Sequence, residues 1–435
     1  MSSATSSKLI GFICLVWLFL PAGVRHSFGR TPQTPDSLEA AVPFTIRQAD
    51  HFFQRRDSTG LQTYLLQGNV HVTRAGSVIK CDNLTYFPAS SYFLCTGRVL
   101  VADTSRSLNS DSLFYYVDSG YYRALGGLRW SSGELSGTGE LGEYWRDRDV
   151  MTVTGRAVAC DSLRRIEADR LAYDYRAERL EASGAVRLTD SQSGSTAVAA
   201  GAVYRRAAGE STLTGRPVVT YYTQTDTLKE KPYKLTGDRI VSWRGDSLAA
   251  VGRVKLSDDS LTVTADSLFY DRSRDVSYFR GGPPLIEHPK YKLHSRLLDV
   301  FTTGRALQRI CATGGGRGEF FLEKTKTETP DSAAGTGTGC WIEGDSLELF
   351  FGESGLDSIC SAGGARSYFR EGAETGINYL LGDRILLIWQ GGALEVVEVT
   401  RGGRGLYLPA DTGGAITVIP DSAGFRADSL KLRKR

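Results

Sequence analysis

Methionine and histidine are nearly missing: the 435 residues hold two of the first and five of the second. His26, His51, His71, His288 and His294 are scattered, so local spacing assembles neither an HExxH helix nor a Cys/His cluster. A GxSxG elbow is lacking, as is a glycine-rich loop ending in Lys-Ser or Lys-Thr, and Gly314-Gly315-Gly316 reads as a turn. These absences point away from an enzyme, and no metal or cofactor is expected. The net charge is only +3, with no basic stripe interleaved with aromatics, so nucleic acid is not an expected partner.

Long apolar runs are also lacking, save one. Leu9 to Val24 follows Lys8 and is broken near its end by Pro21. That is short for a span needing about 20 residues and has the layout of a secretory signal peptide, residues 1–29, with a retained signal anchor as the alternative. Cys14 follows Ile13 rather than a small residue, so lipidation there is not expected. Residues 30–42 are proline-bearing and aperiodic and read as a linker. The chain is expected to be exported, in the periplasm or associated with a membrane there. The remaining cysteines, Cys81, Cys95, Cys160, Cys311, Cys340 and Cys360, match neither a zinc spacing nor a CxxC pair. Small buried residues and one or two bridges both stay open.

What the chain has in quantity is glycine and tyrosine, 49 and 20, the composition of many turns and many aromatic-bearing strands. The stretch Ala168–Leu188 shows the unit. Asp169, Leu171 and Tyr173 share one face of an extended segment, a charged turn follows, and Val186 and Leu188 then alternate with polar or small residues. The unit recurs. Its acidic slot falls at Asp50, Asp82, Asp111, Glu140, Asp169, Ala200, Asp238, Asp266, Ser295, Asp345, Asp383 and Asp428, with successive early spacings of 32, 29, 29, 29 and 31. Gly97, Gly126, Gly155, Gly184, Gly215 and Gly281 each follow their slot by 15 residues. A period near 29 marks a repeat architecture. The expected fold is all-β: an elongated twisted β-jellyroll or solenoid of two-strand repeats, with glycine and the slot residue turning a corner. The slot carboxylate is expected to accept backbone N–H groups there. Strong repeats cover 43–321, a low-complexity loop covers 322–339, and looser repeats cover 340–435.

An acidic slot followed by Leu-x-Tyr, then Gly-x-Val, resembles the organic-solvent-tolerance (OstA), or LptA-like, family. The resemblance runs from Ala49 to about Gly282 and, loosely, from Trp341 to Leu432. It implies a β-jellyroll open along one side that carries lipopolysaccharide through the periplasm, shielding acyl chains and helping to bridge the inner and outer membranes. Expected partners are lipopolysaccharide, other jellyroll transport proteins joined by edge-strand addition, and the outer-membrane assembly protein. The inward, lipid-binding set is then Val70, Val72, Leu84, Tyr86, Val99, Leu113, Tyr115, Leu171, Tyr173, Val186, Leu188, Val254, Leu268 and Tyr270.

Two rivals stand beside this reading. The inward set could pack as a dry core in a structural or adhesive β-solenoid, or the solenoid could be the scaffold of a polysaccharide-processing enzyme. The second needs an exposed carboxylate pair that the sequence does not offer. A transmembrane barrel is disfavoured because its strands need an apolar outer face with aromatic girdles. Arg296, Arg305, Arg309 and Arg433-Lys434-Arg435 could meet glycolipid phosphates, or be solvated surface. Asp428 to Leu432 makes half a repeat, an edge for strand addition. Replacing Leu430 and Leu432 by proline is expected to abolish head-to-tail association in light scattering; unchanged assembly would mean a capped edge.

Overall fold

The computed structural model describes residues 44–408 apart from 321–339 and the short stretches 75, 222–223, 226–227, 230–231, 244–246, 260, 304–305, 353–354, 371–376 and 391–392. The expected signal segment, linker and loop, Cys14, His26, Arg305, Asp428, Leu430, Leu432 and the basic tail lie outside the described residues.

Almost every described residue is in a strand, and 28 strands join in one antiparallel sheet. The order is a meander. Gln62–Arg74 pairs with Ser77–Phe87, which pairs with Tyr92–Ala102, and so on through Arg164–Asp174, Arg179–Asp190 and Thr196–Arg205. An all-β, elongated jellyroll of two-strand units is what the periodicity requires, and it is what the chain forms.

Each long strand changes register at its middle. Between Arg164–Asp174 and Arg179–Asp190 the pairing runs Glu167↔Arg187 and resumes at Arg170↔Ser183. The interruption holds Asp169 on one strand and Gly184-Ala185 on the other, both of the latter left-handed at φ 76° and 46°. Two such residues in succession kink the strand, which is why glycine leads the pair. A Cβ on Gly184 would overlap Asp169 Oδ2. Glycine therefore meets both a conformational and a steric demand here. The same glycine-on-carboxylate contact recurs at Gly97 on Asp82, Gly155 on Glu140 and Gly363 on Asp345.

Four corner carboxylates, Asp50, Asp82, Glu140 and Asp238, take side-chain rather than backbone donors, which corrects the sequence expectation there. Arg98 reaches Asp82 at 2.5 Å, Arg156 reaches Glu140 at 2.9 Å and Arg253 reaches Asp238 at 2.5 Å. Asn69 Nδ2 donates to Asp50 at 2.9 Å. In each case the donor follows the corner glycine, so a left-handed backbone aims its side chain back across the kink. One slot is also displaced by a residue. Gly314 packs on Arg296, while Ser295 is buried and donates to the Leu297 carbonyl at 2.7 Å.

The kink divides each long strand between two halves of this sheet, sheet I and sheet II, with the apolar cluster between them. Sheet I holds segments such as Arg170–Asp174 and Arg179–Ser183, and sheet II holds Arg164–Glu167 and Val186–Asp190. Further along, proline follows the corner glycine at Pro217, Pro283 and Pro284, and the two halves there become separate strands. The long interval from Ala200 to Asp238 holds a small extra hairpin, Gln224–Thr225 with Leu228–Lys229. Across the 321–339 stretch the sheet is continuous, since Phe320 pairs with Cys340.

A single apolar cluster fills the space between the sheets from Leu66 to Leu387. Each buried Leu or Val contributes roughly 1.5–3 kcal/mol. On the outer face of sheet I, Tyr92, Tyr116, Tyr121 and Trp145 stack in a row with ring centroids 5.3–5.5 Å apart. Such cross-strand aromatic pairs add about 0.5–1.5 kcal/mol each. All six cysteines of the described residues are free thiols. Cys81, Cys95 and Cys340 are buried, and contact with Cys81 together with burial pushes the Cys95 thiol well up.

Replacing Gly184 by valine is expected to cost about 2–4 kcal/mol, read as a fall in the urea midpoint, whereas Gly60→Ala, left-handed but in open space, costs about 1 kcal/mol. Combining Gly184→Ala with Asp169→Gly should recover part of the loss, because only backbone strain then remains. No recovery in the pair would show that the carboxylate contact is not what excludes a side chain.

Candidate functional site

The interior is built from two rows that the repeat keeps in phase. The first stands two residues after the slot: Leu84, Leu113, Leu171 and Leu268, all buried. The second stands four residues after it: Tyr86, Tyr115, Tyr144, Tyr173, Tyr204 and Tyr270. Both point inward in sheet I by the alternation of a strand. From sheet II, Val70, Val72, Val99, Val186, Leu188 and Val254 face them, each 3% exposed or less. The structure thus brings the inward set together as one wall, and Leu171 sits beside Val153 and Ala182 in register. Tyr86 and Tyr173, like Tyr144 and Tyr204, differ from the buried residues of the wall. They are half-buried, at the rim where the sheets end, while Tyr115 and Tyr270 are fully buried.

That rim is the second element of the site. The turns of sheet I (such as 116–121, 145–150 and 174–179) form one row, and those of sheet II (102–106, 132–135 and 160–164) form another. Backbone hydrogen bonds run along each row: Val117 N–H to Ser91 and Tyr175 N–H to Asp149 in the first, Gly133 N–H to Ser105 and Ser191 N–H to Leu163 in the second. Across the rows, side chains meet. Arg74 of sheet II donates to the Tyr115 hydroxyl at 2.6 Å and lies 4.6 Å over Phe44. The Arg106 guanidinium lies 4.4 Å over the Tyr175 ring. Corners close one side of the body with covalent chain, and on the other side Arg74 and Arg106 make arginine–aromatic contacts between the rows.

Beneath Arg106 lies a cavity of about 280 Å³. Leu113, Leu128, Met151 and Val153 make its apolar walls, and Arg106 and Arg146 stand at its polar end. Gly142 and Ala124, paired across neighbouring strands, leave the space. Trp130 also lines it, with its indole N–H buried and without a hydrogen-bond partner.

Sequence reasoning did not single out Arg74, Arg106, Trp130, Gly142 or Tyr175. A signal existed for some of them. Arg106 and Arg164 both stand five residues before their slot, and 164 − 106 = 58 is two periods of 29. Gly142 breaks the run of leucines two residues after the slot. Of the arginines that could meet phosphates or be solvated surface, Arg296 lies under the Gly314 corner and Arg309 stacks 4.3 Å over Phe301. Among the described residues, no cluster of His, Cys, Asp and Glu could hold a metal ion. None of their helices is long and apolar enough to cross a membrane.

No protein-family model matches the chain, and no curated protein matches it. Sixteen solved chains match. One is the crystal structure of LptH of Pseudomonas aeruginosa, described as the LptA-homologous periplasmic component of the lipopolysaccharide transport device. Identity is 15%, the match covers 32% of this chain and 82% of that one, and the TM-score is 0.25. So partial a superposition carries no argument about the site, which rests on its own geometry.

Burial, followed by a 2.8 Å hydrogen bond to Asp149, pushes the Tyr144 hydroxyl up to about 12 from 10.0. Tyr121 is likewise pushed up to about 12 by burial and by Glu143. The folded state therefore holds these protons more tightly than the unfolded chain. Their contribution is complete below pH 10 and is lost as pH rises towards 12. Alkaline titration followed by tyrosinate absorbance and circular dichroism should show stability falling across that window, with a shallower fall for Tyr144→Phe.

Proposed function

We propose that the chain is an exported, non-enzymatic carrier that shelters the acyl chains of lipopolysaccharide between its two sheets. One observation carries the reading. A continuous apolar interior is closed by covalent corners on one side and, on the other, by side chains such as Arg74 on Tyr115 and Arg106 on Tyr175. A lipid could enter by exchanging those contacts, with no strand pairing lost. Burying about a dozen methylenes gains on the order of 10 kcal/mol, enough to offset parting a short length of the sheets. The set from Val70 to Tyr270 is the proposed wall, and the phosphates would remain outside with the arginine rim.

The same reading places the protein in the periplasm, in outer-membrane biogenesis, between inner- and outer-membrane partners. Among the described residues, Thr45–Gln48 and His51–Arg56 pair with Gln62–Arg74 and present exposed Ile46, Phe52 and Phe53. A further jellyroll transport protein, or the outer-membrane assembly protein, could add a strand to such an end.

The dry-core solenoid stays as a second reading because Leu113, Val186 and Leu248 are 0% exposed, packed against protein. Photo-leucine placed at Val186 or Leu268 separates the two. Irradiation in cells should yield lipopolysaccharide adducts from these inner positions and not from the outward Arg187. Adducts from none of the inner positions would leave the dry core standing and remove the carrier.

A further inference from the structure

We propose that the cavity under Arg106 is a site for one acyl chain ending in an anionic group, a ligand class distinct from a many-chained glycolipid. The cavity exists because the chain departs from its own repeat. Where Leu84, Leu113, Leu171 and Leu268 fill the interior two residues after their slots, the slot at Glu140 is followed by Gly142. Its strand neighbour in register is Ala124, so two small residues lie side by side. Gly142 is not required by the backbone, since it carries no positive φ.

The size selects the ligand. At about 280 Å³ the cavity falls just under the roughly 300–1,000 Å³ typical of sites that engulf a drug-sized molecule. One chain fits such a space and several do not. Leu128, Met151 and Val153 give that chain apolar walls.

The charge at the mouth selects its end group. Arg106 and Arg146 both line the cavity. Two carboxylates, Asp103 and Glu143, share the lining and keep their charge, each accepting hydrogen bonds from neutral groups. Asp103 accepts the backbone N–H groups of Ser105 and Arg106, each at 2.8 Å, and Glu143 accepts the Tyr121 hydroxyl. A carboxylate or phosphate on the ligand would exchange the cation–π contact of Arg106 with Tyr175 for a charge-assisted hydrogen bond. The buried, unpartnered Trp130 N–H supplies a donor for an ester or acid oxygen that enters more deeply.

The probe is a dibrominated stearate, whose bromines quench tryptophan at short range. The full chain should show saturable quenching that is lost in Trp130→Phe. Gly142→Leu restores the side chain that the repeat has elsewhere and meets only the flexible end of Leu128, 2.9 Å from the new Cβ. It should keep its circular dichroism, melt at the same or a higher temperature, and bind no probe. Arg106→Gln, at the surface end, should weaken stearate binding about tenfold while leaving a brominated uncharged alkyl glucoside unaffected. A dibrominated lysophosphatidylglycerol, compared with stearate, distinguishes a phospholipid from a free fatty acid as the source of the chain. Quenching that survives both Gly142→Leu and Trp130→Phe, or equal loss of charged and uncharged probes in Arg106→Gln, overturns the proposal. It stands apart from the carrier reading: stearate binding without lipopolysaccharide adducts would keep the cavity and drop the carrier, and the converse would keep the carrier alone.

Discussion

A glycine held left-handed over a carboxylate sets the shape of this molecule. With Asp169 Oδ2 standing where a Gly184 Cβ would need to be, the strand can neither run straight nor carry a side chain at that point. It kinks, and the residues on either side of the kink enter different sheets. Because slots and glycines alternate at the same phase on successive strands, the kinks align into one corner line. The facing sheets, the interior between them and the rim opposite the corner all depend on that alignment. The carboxylate itself is replaceable as chemistry. Gly215 rests on Ala200 and Gly314 on Arg296, and the strands turn there too. What the corner needs is a Cβ under a glycine, and the acid adds an exposed pair with the arginine after that glycine.

This explains which parts of the structure could be read from the residues. Asp169, Leu171, Tyr173, Gly184, Val186 and Leu188 state a face, a turn and a face, and recurrence makes the statement nearly unambiguous. Position within a strand is a local property, so the wall residues were legible. Contacts across the rim are not local. Arg74 meets Tyr115 and Arg106 meets Tyr175 only after the sheets have folded towards each other, over separations of 41 and 69 residues. Nothing in a strand pattern announces such a meeting. The displaced slot at Ser295 has a similar origin. Both Ser295 and Arg296 suit a corner by type, and only the burial of one against the other's glycine contact decides between them.

The two sides of the body differ in mechanical character. The corner is covalent chain with strained, glycine-dependent backbone, and opening it would break strand pairing on both sheets. At the rim, Arg74 and Arg106 reach across and lie on aromatic rings. Such contacts contribute from about 0.5 kcal/mol when exposed to about 2 when desolvated. Parting the corner would therefore break strand pairing, and parting the rim at Arg74 or Arg106 would break side-chain contacts.

The cavity sharpens the contrast. Leaving out a buried leucine costs about 2–5 kcal/mol in a core that cannot collapse around the gap. At Gly142 the chain forgoes that side chain although its neighbours in phase keep theirs and the backbone there tolerates any residue. Leu128 packs onto Gly142, its Cδ2 2.9 Å from where a Cβ would stand, and the cavity lies beside the two. The gap is also lined by both members of a rim contact, Arg106 and Tyr175. Stability forgone beneath a movable lid is the pattern expected where something other than the protein's own side chain fills the space.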